Sequence, residues 1–190
     1  MANDYASVFA SSEGDMEIVD HICNALNQEE RPVSPTHFHN SVHNAPAGYA
    51  CIAAGSHAAS NSLAALQGSF ATGLLDASIQ AITDQQQVLC VVYDNSVPFP
   101  LNEFIPINLP FATAMLLSAD AGNSLAKLTL ELSGKQYETQ MRDSQLERLR
   151  KENPAARSLP LLQQLASRGS TRLIFPYLPG LGLTVEVDPL

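Results

Sequence analysis

Histidine, cysteine, serine and the carboxylates carry most side-chain catalysis, so they come first. The chain has five histidines: His21, His37, His39, His43 and His57. On a helix, His39 and His43 share a face, which is one geometry for a metal pair. No cysteine or carboxylate stands close in sequence to complete a site, so no metal and no cofactor are expected. Cys23, Cys51 and Cys90 are far apart in apolar surroundings. With no CxxC pair and an odd count, they read as free buried thiols in a reducing compartment. A serine nucleophile needs a small-residue frame such as GxSxG. The run Leu66-Gln67-Gly68-Ser69-Phe70 does not supply one. Gly180-Leu181-Gly182 is a hairpin turn, not GxGxxG. Asp76, Asp94 and Asp120 stand singly, as caps and turns.

The elements that would position such groups follow from hydrophobic periodicity. Tyr5 to Ala10 reads as a buried strand, and Ser11 to Asp15 as a turn. Met16, Ile18, Val19, Ile22, Cys23 and Leu26 recur at helical spacing, with Ser12 or Asp15 as the cap. Ser34-Pro35-Thr36 opens a second short helix with proline in its first turn. A third helix starts at Asn44-Ala45-Pro46 and ends at Gly55, which accepts the positive φ of a C-cap. Ser69 to Asp84 is a small-residue-rich helix and Gln87 to Tyr93 a buried strand. Pro98 to Pro110 is a loop. Phe111 to Ser118 and Ser124 to Leu132 are strands flanking a turn. Lys135 to Asn153 is polar, charged and expected to be exposed. Leu159 to Ala166 is a short amphipathic helix, and Thr171 to Tyr177 with Leu181 to Val187 form a hairpin. This order argues for a layered α/β fold in one domain, residues 1–190.

The 190 residues are 45% hydrophobic and only 15% charged, with a net charge of −9. Some of that apolar surplus is available to be buried against another chain. The acidic balance disfavours a nucleic-acid partner. It would also repel an acidic carrier, unless a basic patch or a second subunit received it. No apolar run reaches the roughly 18 residues of a membrane span. Met1-Ala2-Asn3-Asp4-Tyr5 lacks the design of a signal peptide, so the chain reads as cytoplasmic.

Three stretches resemble the N-terminal half of the β-ketoacyl synthases. Ser7 to Gly14 looks like that fold's early strand and glycine turn. Asn44-Ala45-Pro46-Ala47-Gly48, with Gly55 downstream, resembles the synthase pattern of asparagine, two residues, alanine-glycine, helix, glycine. Ser60 to Ala65, then Leu66-Gln67-Gly68-Ser69, a long helix and the strand from Gln87, resembles the central strand, nucleophile turn, helix and strand. The likeness is best over residues 5–95 and thins after Pro98. In synthases the nucleophilic cysteine follows the glycine that ends the asparagine-motif helix by about a dozen positions, and that count from Gly55 reaches Gln67. A glutamine at this place is typical of chain length factors, the non-catalytic partners of type II polyketide synthases. The wider pattern from Ser34 to Gly48 resembles the short ketosynthase-like chain length factors of aryl polyene clusters.

The resemblance implies a thiolase-like α/β fold, as one N-terminal-type half of the αβαβα sandwich. It further implies a heterodimer with a catalytic ketosynthase, reached by acyl carrier protein through the complex. Gln67 stands where the nucleophile stood. The expected elbow and substrate tunnel are Gln67, Gly68, Ser69 and Phe70, with Phe70 lining or ending the tunnel. The Gln67 amide is expected to bind backbone N–H groups or a carbonyl of the growing chain. Ser60, Asn61, Ser62, Leu63, Ala64 and Ala65 are expected to pair with the partner's matching strand. Two other readings compete: a malonyl-carrier decarboxylase acting through Gln67, and a homodimeric thiolase-like ligand-binding module. The decarboxylase reading suffers because synthases draw two histidines from their C-terminal half, and no histidine follows His57.

Overall fold

A computed structural model describes residues 5–134 and 137–190. Met1 to Asp4 of the N-terminal stretch, and Lys135 at the head of the charged segment, lie outside the described residues. The first sheet has the order β2-β1-β3-β4, from β1 (Ala6–Ala10), β2 (Ser60–Leu63), β3 (Val88–Asp94) and β4 (Phe111–Leu117). β1 runs parallel to both β2 and β3, while β4 pairs antiparallel with β3. The link from β1 to β2 and the link from β2 back across β1 to β3 run in opposite directions. Right-handed crossovers must therefore lie on opposite faces of the sheet. The first carries α1 (Met16–Leu26), α2 (Pro35–Asn40) and α3 (Ala45–Ala54). The second carries α4 (Ser69–Thr83), which packs on β1 and β3.

Local chemistry sets these boundaries. The Asp15 side chain caps α1 by accepting from the Ile18 N–H at 3.2 Å. Ser34 caps α2 through the His37 N–H, with Pro35 at the first position. Gly55 ends α3 at φ 62°. α4 lies close to the sheet because Gly73 has no side chain: a Cβ there would come within 2.9 Å of the Ala10 Cβ.

A second sheet, β5-β7-β6, covers the opposite side of α4. It is antiparallel and comprises β5 (Ala126–Gly134), β6 (Thr171–Leu178) and β7 (Leu181–Pro189). Val8, Val88, Cys90 and Val92 from the first sheet share one core with Phe70 and Leu74 of α4 and with Phe175, Leu183 and Val185 of the second. Burial lifts the Cys90 thiol to about 12, so it stays protonated. The C-terminal third thus adds three strands across the central helix. The strands flanking the turn near Gly122 do not pair with each other; β4 extends the first sheet and β5 the second.

Between residues 137 and 153 most side chains are exposed, as expected for the Lys135 to Asn153 segment, but Met141, Arg150 and Asn153 depart from that expectation and are buried. Within it, α5 (Ser144–Glu152) buries the Arg150 side chain, 1% exposed, and the next residue, Asn153, is equally buried. Hydropathy cannot foresee this, because a guanidinium goes inside only when carboxylates meet it. Arg150 Nε and Nη2 fork onto Glu147 at 2.7 and 2.8 Å, and Nη1 reaches Glu138 at 2.7 Å. The turn after α5 leads into α6 (Leu159–Ser167), which packs on β6 and β7. No helix among the described residues is long and apolar enough to cross a membrane.

The fork onto Arg150 is the largest influence on the Glu147 carboxyl, which falls from the usual 4.5 to about 2. A carboxyl depressed on folding lends stability above its unfolded value and loses it as pH falls toward the folded one. Urea midpoints of the wild type should therefore drop as pH falls from about 4.5 toward about 2. Glu147→Gln should be less stable at neutral pH and flatter across that window. Parallel pH curves for the two proteins would contradict this.

Candidate functional site

At the C-terminal end of β2 the chain turns through a 3-10 turn, Leu66–Gly68, directly into α4. Gln67 occupies the middle of this strand-to-helix elbow. Leu66 takes φ 49°, the left-handed region that a branched side chain enters only when its surroundings hold it there. Ser69 supplies one such hold: its Oγ donates to the Leu66 carbonyl at 2.8 Å and accepts from the Ala65 N–H at 3.0 Å. Gly68 supplies another. A Cβ at Gly68 would lie 2.2 Å from the Tyr177 carbonyl oxygen, so β6 presses on the elbow where only glycine fits.

Gln67 is exposed, but its amide oxygen is held. Arg157 Nη2 donates to Gln67 Oε1 at 2.9 Å, while Nη1 of the same guanidinium donates to Glu138 Oε2. Glu138 also accepts from Arg150, so the elbow joins a network running from Gln67 through Arg157, Glu138 and Arg150 to Glu147. Burial pushes the Glu138 carboxyl up, but hydrogen bonds and charge from Arg150 and Arg157 outweigh it and leave it below its ordinary value.

Arg157 is placed by a second buried carboxylate. Asp94 ends β3, 2% exposed, and accepts from Ser12 N–H at 2.7 Å, Ser12 Oγ at 2.8 Å, Ser11 Oγ at 3.0 Å and the Ala155 N–H at 3.0 Å. Burial raises this carboxyl, and those hydrogen bonds oppose the rise. Asn153 reinforces the joint, its side-chain amide donating to the carbonyls of Asp94 and Leu109. Asp94 thus pins the ends of β1 and β3 to the turn Ala155–Ser158 that carries Arg157.

Beside the elbow lies an open groove of about 610 Å³ between α3, β2 and α4. Asn44, Ala47, Gly48, Ser60, Asn61, Ser62 and Leu63 line it, with Asp76 and Tyr177. The structure therefore brings the asparagine-alanine-glycine motif and the β2 strand to one surface. Gly55 lies apart, at the far end of α3. Ala47 is the one buried residue of α3, although the helix is apolar all round. Ile52 stands 78% exposed, and Leu66, Ile79 and Ile82 are also exposed.

Several expectations need correction. Phe70 lines no groove: it is fully buried, edge-on to Phe175 with ring centroids 5.0 Å apart. The phase of α4 turns it into the space beneath the second sheet, so it is a core side chain. The Gln67 amide meets a guanidinium rather than backbone N–H groups. Ala64 and Ala65 lie past the end of β2, in the approach to the elbow. Arg157, Glu138 and Asp94 were missed as site residues. Among the described residues no three His, Cys, Asp or Glu side chains gather as a metal site.

A family model described as "Beta-ketoacyl synthase, N-terminal domain" matches residues 1–175. Among solved structures, the chain is similar to "Ketosynthase (ApeO) in Complex with its Chain Length Factor (ApeC) from Xenorhabdus doucetiae". The TM-score is 0.74 and the identity 25%, covering 97% of this chain and 70% of that one. It also resembles "The ishigamide ketosynthase/chain length factor" with a TM-score of 0.68, covering 98% of this chain and 73% of that one; at 11% identity this likeness concerns the fold alone. No curated protein matches the chain.

Gly68→Ala tests the tight approach of β6 to the elbow. The added methyl must push the turn away from the Tyr177 carbonyl, costing on the order of 1–3 kcal/mol. Urea unfolding should show a lower midpoint with an unchanged slope. An unaltered midpoint would contradict the packing described.

Proposed function

The chain belongs to the β-ketoacyl synthase N-terminal domain family, with the mixed α/β, thiolase-like fold of a ketosynthase half, and we propose that it is a non-catalytic chain length factor. In this reading it is one 190-residue cytoplasmic domain that pairs with a catalytic ketosynthase. The partner supplies the thiolate and the histidines, and acyl carrier protein is received through the complex. The chain's contribution is shape: it completes the wall along which an acyl or polyene chain grows.

The observation that carries the reading is the surface around β2. The carbonyls of Ala59 and Leu63 accept from the Ser7 and Ser11 N–H groups of the β1 segment, at 3.0 and 3.2 Å. Strand alternation then directs the backbone groups of Ser60 and Ser62 to the other side, where the sheet ends. An open strand edge flanked by an all-apolar helix is a surface built to be covered. A matching strand from a homologous subunit fits it by antiparallel pairing. Such a partner agrees with what the similar solved complexes contain by their own descriptions.

The chemistry at Gln67 supports the non-catalytic half of the proposal. Acyl transfer from a thioester needs a thiolate or an activated hydroxyl, and an amide is neither. The histidines lie between positions 21 and 57, on or near the first three helices. His43 is bonded to the Ser11 carbonyl, away from Gln67.

Co-expression with a ketosynthase encoded alongside should yield a 1:1 complex, and the chain alone should aggregate. Ser62→Pro removes one outward N–H and leaves the ladder to β1 intact. It should reduce recovered complex by about tenfold or more. A stable, monodisperse wild-type monomer, or full recovery of the Ser62→Pro complex, would count against the proposal.

A further inference from the structure

We propose that Arg157 is the positioning residue of the elbow: it holds the Gln67 amide by its oxygen so that an Nε2 N–H is left to donate to a carbonyl oxygen at the covered surface. The inference rests on the partner-subunit reading above and adds a task for Gln67 within it.

The orientation follows from chemistry alone. A guanidinium has only donors, so the Gln67 atom 2.9 Å from Arg157 Nη2 must be the carbonyl oxygen. The amide nitrogen then points away from the network. Gln67 is exposed, and among the described residues its Nε2 has no acceptor. A carbonyl oxygen is a natural acceptor for such an N–H donor.

Arg157 is suited to holding rather than merely touching. It is 8% exposed, anchored by Glu138, and lies four residues after Asn153, which is bonded into the ends of the first sheet. Among the described residues its Nε is buried without a partner, a cost that persists only where the other bonds fix the side chain. From the other side, Ser69 fixes the Leu66 carbonyl and Tyr177 confines Gly68. Residues on both sides of Gln67 and its side-chain oxygen are thus restrained, while its donors are left to a ligand. This is the arrangement expected of a preorganised hydrogen-bond donor.

Two carbonyls are available on that surface: one of the acyl chain growing in the partner, and one of the partner's backbone. Gln67→Glu distinguishes them. It keeps an oxygen for Arg157 and nearly the same shape, but loses both donors. In the purified complex with the ketosynthase, an acyl-chain carbonyl predicts unchanged assembly. Condensation per complex should then fall about tenfold, with an altered distribution of product lengths. A backbone carbonyl predicts about tenfold weaker assembly with unchanged turnover per assembled complex. Either outcome supports the donor role; assembly and turnover both within about twofold of wild type overturn it.

Arg157→Lys retains the charge against Glu138 but loses the fork. Side-chain ¹⁵N relaxation in the complex should show a rigid Gln67 amide in the wild type and a mobile one in Arg157→Lys. Equal mobility in both overturns the positioning role. If the wild-type chain forms no complex with the ketosynthase, the partner-subunit reading itself has failed. A complex that forms but ignores Gln67→Glu fails only the present inference.

Discussion

The buried carboxylate of Asp94 is the joint on which the architecture turns. Four donors from three residues in two places of the chain converge on it: two from Ser12, one from Ser11, and the Ala155 N–H. A charge taken out of water is costly unless its lone pairs are filled. Filling them fixes the end of β1 against the end of β3 and draws the C-terminal segment onto both. Arg157 follows from that placement, and the Gln67 orientation follows from Arg157. The second sheet adds its own constraint through the Tyr177 carbonyl at Gly68. A surface amide is therefore held by the most distant part of the sequence.

The same arrangement separates rigid from uncovered parts. α4 is enclosed by two sheets and carries seven buried residues, while α1 and α2 carry none and α3 only Ala47. The first crossover layer thus lies on its sheet without being sealed. Its apolar helix α3 and the open edge of β2 meet at the groove beside the elbow. Core and interface are divided along the sheet, with the elbow at the border between them. In the proposed role of a subunit that acts by shape, the inner face would set position and the outer face would receive the partner.

Much of the first half was legible because its signals are local. Asp15, Ser34, Pro35 and Gly55 act within one helical turn of their own position, and each does what its side chain favours. The elbow was found by counting from Gly55 in a family pattern. The second half was less legible because its decisive contacts are distant and polar. Arg157 and Gln67 are 90 positions apart, and nothing in a run of charges says which guanidinium will be buried. Glu138 lies beside β6 because the Thr139 N–H reaches the Ile174 carbonyl, another long-range contact. Phe70 was misplaced for a related reason. Its position at the start of α4 was clear, but the second sheet that receives its ring was not.

In the proposed assembly, β2 and its neighbouring helix are covered by a second, catalytic subunit. Hydrogen exchange measures this at the backbone groups concerned. Amides of Ser60, Ser62 and the exposed side of α3 should exchange quickly in the isolated chain and slow markedly once the ketosynthase is added, while those of β3 stay slow throughout. Amides of β2 that are already protected in the free chain, or unchanged when the synthase is present, would contradict it.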